Sequence, residues 1–89
     1  MNNEQQKIYQ LYHDKAKGIL KVSPMTKVFF KTYVDKGLAN KPQDYIFSYN
    51  QNYFLSFSRK VLVQKAREMK EEWIKEAEQV LEMYKNIKI

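Results

Sequence analysis

Tyr45-Ile46-Phe47-Ser48-Tyr49, then Asn50-Gln51-Asn52, then Tyr53-Phe54-Leu55-Ser56-Phe57 is the stretch on which the fold turns. On a strand reading, Tyr45, Phe47, Tyr49 and then Tyr53, Leu55, Phe57 line one face. On a helix reading, Ile46, Tyr49, Tyr53, Phe57 and Val61 recur at spacings of 3, 4, 4 and 4. The aromatic enrichment and the Asn-rich centre favour a hairpin, because aromatic side chains suit a pleated surface and Asn tolerates positive φ. The absence of Gly at the turn favours the helix. Both stay open, with the hairpin preferred.

After this stretch, Leu62, Ala66, Met69, Trp73, Ala77, Val80, Tyr84 and Ile87 follow spacings of 3 and 4. That pattern predicts one long amphipathic helix from Arg59 onward, with a narrow apolar seam. Before it, Ile8, Leu11, Tyr12, Ala16, Ile19 and Leu20 predict a helix from about Asn3 to Leu20. Met25, Phe29 and Tyr33 predict another from about Pro24 to Lys36. Ser23 would be its N-cap, Pro24 its first residue, and Gly37 the left-handed residue just past its end. The expected fold class is therefore mainly α: two N-terminal helices, a small aromatic hairpin or its helical alternative, and a long C-terminal helix. We expect one domain over 1–89, with a compact body at 1–58 and the helix at 59–89. So small a body cannot cover the whole seam, so a second copy or another protein is expected on it through Met69, Trp73, Val80 and Tyr84.

The chain has 89 residues, no cysteine and a net charge of +6. Without Cys there are neither disulfides nor thiolate metal ligands, and a reducing, cytoplasmic setting is the natural expectation. Met1-Asn2-Asn3-Glu4-Gln5-Gln6 is too polar for a secretory signal, and the apolar runs are far too short to span a membrane. The basic excess invites a polyanionic partner. It is spread evenly, however: four Lys against two acids in residues 1–22, the same in 23–44, no charge in 45–58, and eight bases against six acids in 59–89.

Enzyme chemistry has little to work with. His13 is the only histidine; it belongs to no Ser-His-acid arrangement, and neither a glycine-rich phosphate loop nor a metal-ligand spacing occurs. No enzyme activity, cofactor, metal or small-molecule substrate is expected.

Ala16-Lys17-Gly18-Ile19-Leu20-Lys21-Val22-Ser23-Pro24-Met25-Thr26 resembles the helix–turn–helix of winged-helix DNA-binding regulators. Phe30, Tyr33, Gly37-Leu38 and Lys41 sit where that family shows core residues, a Gly-Leu stop and a basic residue. Tyr53-Phe54-Leu55-Ser56 resembles the returning strand of the wing, and the last helix looks like the dimerisation helix of the PadR-like group. The resemblance implies a small dimeric regulator of transcription or replication bound to double-stranded DNA. Ser23 and Thr26 would then read base edges, and Lys27 and Lys31 would contact phosphates. Lys41, Gln51, Asn52, Arg59 and Lys60 would hold flanking backbone. The alternative to this leading reading is an all-helical interaction protein (an inhibitor, immunity factor or accessory subunit) docking on one partner through the seam.

Overall fold

Residues 9–14, expected within the first helix, are the first strand of a four-stranded antiparallel sheet. The structure, a computed structural model, describes residues 7–25 and 34–89, with no side-chain description at Val34. Strand β1 (Tyr9–Asp14) pairs with β2 (Ile19–Pro24) in the register Leu11↔Val22 and Asp14↔Ile19. Strands β3 (Phe47–Asn50) and β4 (Tyr53–Ser56) form a second hairpin. The hairpins join edge to edge through β1 and β4, giving the order β2-β1-β4-β3. A 27-residue helix, α1 (Arg59–Lys85), follows. The fold is α+β, which corrects the expectation of a mainly α chain with two N-terminal helices.

The first hairpin exists because Asp14 and Gly18 bracket a four-residue loop. Gly18 has φ +69°, a left-handed conformation that strains most other residues. Its N–H reaches the Lys15 carbonyl at 3.2 Å, and the Asp14 carboxylate accepts from the Lys17 N–H at 3.2 Å. Gly18 is thus a turn residue. The expected second helix loses its beginning as well: Ser23 and Pro24 lie in β2. Most of that helix falls at 26–33, outside the described residues, and Val34–Leu38 forms one π-helical turn. Gly37 is not left-handed; the positive φ falls at Asn40, at 65°. What Gly37 supplies is space, since a Cβ there would collide with the Phe47 ring.

The aromatic hairpin is present, although positive φ is not how it turns. Asn50 Oδ1 accepts from the Asn52 N–H at 2.8 Å, and the register slips between Ser48 and Asn50. Asn52 then donates its side-chain amide to the His13 carbonyl at 2.9 Å, while its own carbonyl accepts from the His13 N–H at 2.9 Å. This clamp joins the two hairpins.

Both sheet faces are covered. Ile8, Leu38 and Leu55 form a buried cluster with Met25, Phe47, Tyr49 and Phe57 packed around it. On the opposite face Leu11 is fully buried, and His13 stacks on Phe54 at 4.7 Å between ring centroids. Helix α1 lies over this second face, with contacts to β2, β1 and β4 and Lys65 Nζ 4.7 Å from the Phe54 ring centre. Leu62 is its one fully buried residue.

Candidate interaction surfaces

Helix α1 begins at Ser58, whose extended backbone and side-chain acceptor for the Val61 N–H mark it as the N-cap. The first turn carries Arg59 and Lys60 and no acid. At 100° per residue, Lys60 and Arg67 lie on the side turned away from Leu62, and Arg59 and Lys70 lie on the flank between that side and Leu62. All four are exposed. A shallow open groove of about 840 Å³ runs here between Asp44 and the helix, lined also by Ser58, Gln64 and Arg67. The local charge of residues 59–67 is four bases and no acid. Such a surface attracts anions by charge and by the helix dipole together.

Further along, the same helix presents its other surface. Trp73 is half-buried, and Glu76 makes an ion pair with Lys15 at the tip of the β1–β2 loop. From Ala77 onward every residue is exposed. The sheet-facing side of the helix carries Leu62, Ala66, Met69 and Trp73; continued at the same angle it carries Ala77, Val80 and Tyr84, and Ile87 follows just past the Asn86 C-cap. Ile74 and Leu81 flank it. Leu81 is 53 % exposed, Tyr84 62 % and Ile87 64 %. The stripe that binds the sheet therefore runs on, uncovered, beyond the sheet.

The expected site residues fall into separate groups. Met69 and Trp73 belong to the covered half of the stripe, Val80 and Tyr84 to the open half. Arg59 and Lys60 lie together at the groove. Gln51 is exposed at the β3–β4 turn, and Asn52 beside it holds His13 as described. These two sit at the far end of β4 from Arg59, about 13 Å away for four strand residues. Ser23 accepts from Gln10 Nε2 at 3.1 Å across β1 and β2. The Lys41 ammonium lies 5.0 Å from the Tyr45 ring centre. Thr26, Lys27 and Lys31 lie outside the described residues. Sequence reasoning missed Arg67 and Lys70, which the 100° rule would have aligned with Lys60 and Arg59 respectively. It also missed Leu81, one heptad after Ile74.

Two groups titrate unusually. Burial, then Lys65, lowers the His13 pKa, partly opposed by Asp14, and its Nε2 is buried without a hydrogen-bond partner. Burial, then the Asp14 carboxylate, raises that of Tyr12. Neither lines the groove beside the head of α1. Among the described residues no group of three or more His, Cys, Asp or Glu side chains is placed to hold a metal ion. None of their helices is long and apolar enough to cross a membrane.

No family model, curated protein or solved structure matches the chain. The surfaces of the molecule itself carry the functional argument.

Proposed function

We propose that this chain is a protein-interaction module that docks an amphipathic helix along the open half of α1. The observation that carries the reading is the continuity of one apolar stripe across the edge of its own sheet. Up to Trp73 the stripe is core; from Ala77 to Tyr84 the same pattern meets water. Contiguous exposed apolar surface rimmed by charge marks interaction sites, and helix-on-helix docking uses this i, i+3, i+4, i+7 spacing. A photo-crosslinking amino acid placed at Leu81, compared with one at Glu82 on the opposite side, tests it in cells. Protein adducts at least several-fold more abundant at Leu81 are expected. Equal yields from the two positions would overturn the reading.

A second reading keeps double-stranded DNA as a partner, now on the helix head instead of the 24–36 segment. Arg59, Lys60, Arg67 and Lys70 on one exposed side favour it. Four phosphate contacts would give a logarithmic salt slope of about −3.6. Exchanging Arg67 and Lys70 for Gln should reduce that slope by roughly half and weaken all sequences alike. Salt-independent binding, or none at low salt, removes this reading.

A further inference from the structure

We infer that α1 receives an acidic amphipathic helix of another protein, its acids against Arg67, Lys70 and Lys85 and its apolar side chains against Ile74, Ala77 and Leu81. This deepens the docking reading and rests on it, because Ala77 and Leu81 belong to the open half. With Leu62 as zero and about 100° per residue, one flank of the helix lies between about 60° and about 140°. Its charged residues are Arg59, Arg67, Lys70 and Lys85, all bases. Its remaining residues, Val63, Ile74, Ala77 and Leu81, are all apolar. The six acids of α1 lie elsewhere on the wheel, from Glu78 at about 160° round to Glu76 at about 320°.

This acid-free flank is open and its charge is not neutralised. Val63 is half-buried and every other residue on it is exposed, Ile74 by 48 % and Leu81 by 53 %. Among the described residues the one ion pair, Lys15 with Glu76, lies across the stripe from it. Asp44 is the single acid lining the groove beside Arg59 and Arg67. An anionic partner is therefore the complementary one.

The apolar residues decide which kind of anion. Lys70, Ile74, Ala77, Leu81 and Lys85 follow steps of 4, 3, 4 and 4, so basic and apolar positions share one line along the helix. A partner helix carries acids and apolar side chains at that same spacing and meets both at once. Duplex phosphates would answer the bases and leave Ile74 and Leu81 in water. Two large exposed apolar side chains are too little to hold a helix at a bilayer interface, where affinity scales with the apolar area buried.

The test is selection from a displayed library of amphipathic helices about 24 residues long, enough to follow roughly 36 Å of the flank. Apolar residues are fixed at heptad positions a and d, and positions e and g are free to be Glu, Gln or Lys. On the full chain, Glu should outnumber Lys at the selected edge positions by at least about tenfold. On a chain with Arg67→Glu, Lys70→Glu and Lys85→Glu the preference should reverse. Arg67→Gln, Lys70→Gln and Lys85→Gln, gentler to the helix, should erase it; circular dichroism checks that each variant stays folded. Ile74→Ser with Leu81→Ser should weaken the selected peptides by at least about tenfold in fluorescence anisotropy. An empty selection, edges that ignore the charge reversal, or peptides that ignore the double Ser variant overturn the acidic partner. So does a DNA duplex or a phosphatidylserine vesicle that binds as tightly as the selected peptides and ignores the same variant; the flank then belongs to phosphate. Any of these results beside selective crosslinking at Leu81 sinks the occupant alone; unselective crosslinking sinks the docking surface itself.

Discussion

Gly37→Ala separates two explanations of one glycine. Gly37 has no positive φ, so Ala fits its backbone and would by itself stabilise the fold by about 0.4–1 kcal/mol through the unfolded chain. The Cβ, however, would meet the Cγ and both Cδ atoms of Phe47. Phe47 cannot swing its ring root aside, because its backbone pairs with Leu55 and its ring lies edge-on to Tyr49 at 6.5 Å. Overpacking of this kind costs about 1–3 kcal/mol, so the net loss should be about 0–2.6 kcal/mol. For a domain of this size that lowers the midpoint of thermal unfolding by up to roughly 20 °C. The sign should reverse in a Phe47→Ala background, giving a coupling of about 1–3 kcal/mol in a double-mutant cycle. Urea and thermal unfolding followed by far-UV circular dichroism measure all four chains. A helix-ending left-handed glycine behaves differently: Asn would replace it at little cost, and truncating Phe47 would rescue nothing. The reasoning is refuted if Gly37→Ala costs the same with and without the Phe47 ring.

His13 makes stability depend on pH. Its folded pKa lies below the ordinary 6.5, so the native state binds fewer protons than the unfolded chain between the two values. Stability should be complete above about pH 6.5 and fall as pH drops through that window; His13→Phe should remove this part of the slope in thermal scans. Leu62→Ala should cost about 2–5 kcal/mol in urea unfolding, whereas Leu81→Ala, measured where the chain is monomeric, should stay within about 0.5 kcal/mol. Asn52→Ala removes the donor to the His13 carbonyl and should cost about 1 kcal/mol, against near neutrality for Gln51→Ala in the same turn.

The second hairpin and α1 were legible because each obeys one period. Tyr45–Phe57 alternates around a turn, and 59–89 repeats at 3 and 4. The first hairpin breaks its own period. Ile8 is buried against Leu38 on one sheet face and Leu11 is buried beneath α1 on the other. Along β1 the face shared with Ile8 carries Gln10, Tyr12 and Asp14 and the face under α1 carries Tyr9, Leu11 and His13, so neither face is uniformly polar or apolar. Ile8, Leu11, Tyr12, Ala16, Ile19 and Leu20 then mimic a helix, with exposed Ala16 lying in the loop. The usable signal was chemical: Asp14 and Gly18 bracket the loop between two six-residue runs rich in Tyr, Leu, Ile and Val. The interface half of the site was legible at Val80 and Tyr84 for the same reason that α1 was. Where cover stops was not, since that depends on how far the β1–β2 loop reaches along the helix.

That reach is limited by length. A six-residue strand spans about 20 Å, and four strands side by side about 15–19 Å. A 27-residue helix spans about 40 Å. Whether α1 ran along the strands or across them, this sheet could shield only about half of it. The seam nevertheless keeps its apolar spacing through Ile87, well past the last residue the sheet could reach. Helices shorter than about 12–15 residues are marginal in water without packing, and an apolar stripe in water adds no stability to its own chain. The sequence from Ala77 to Ile87 therefore makes physical sense as the half of an interface whose other half lies outside the chain's own core.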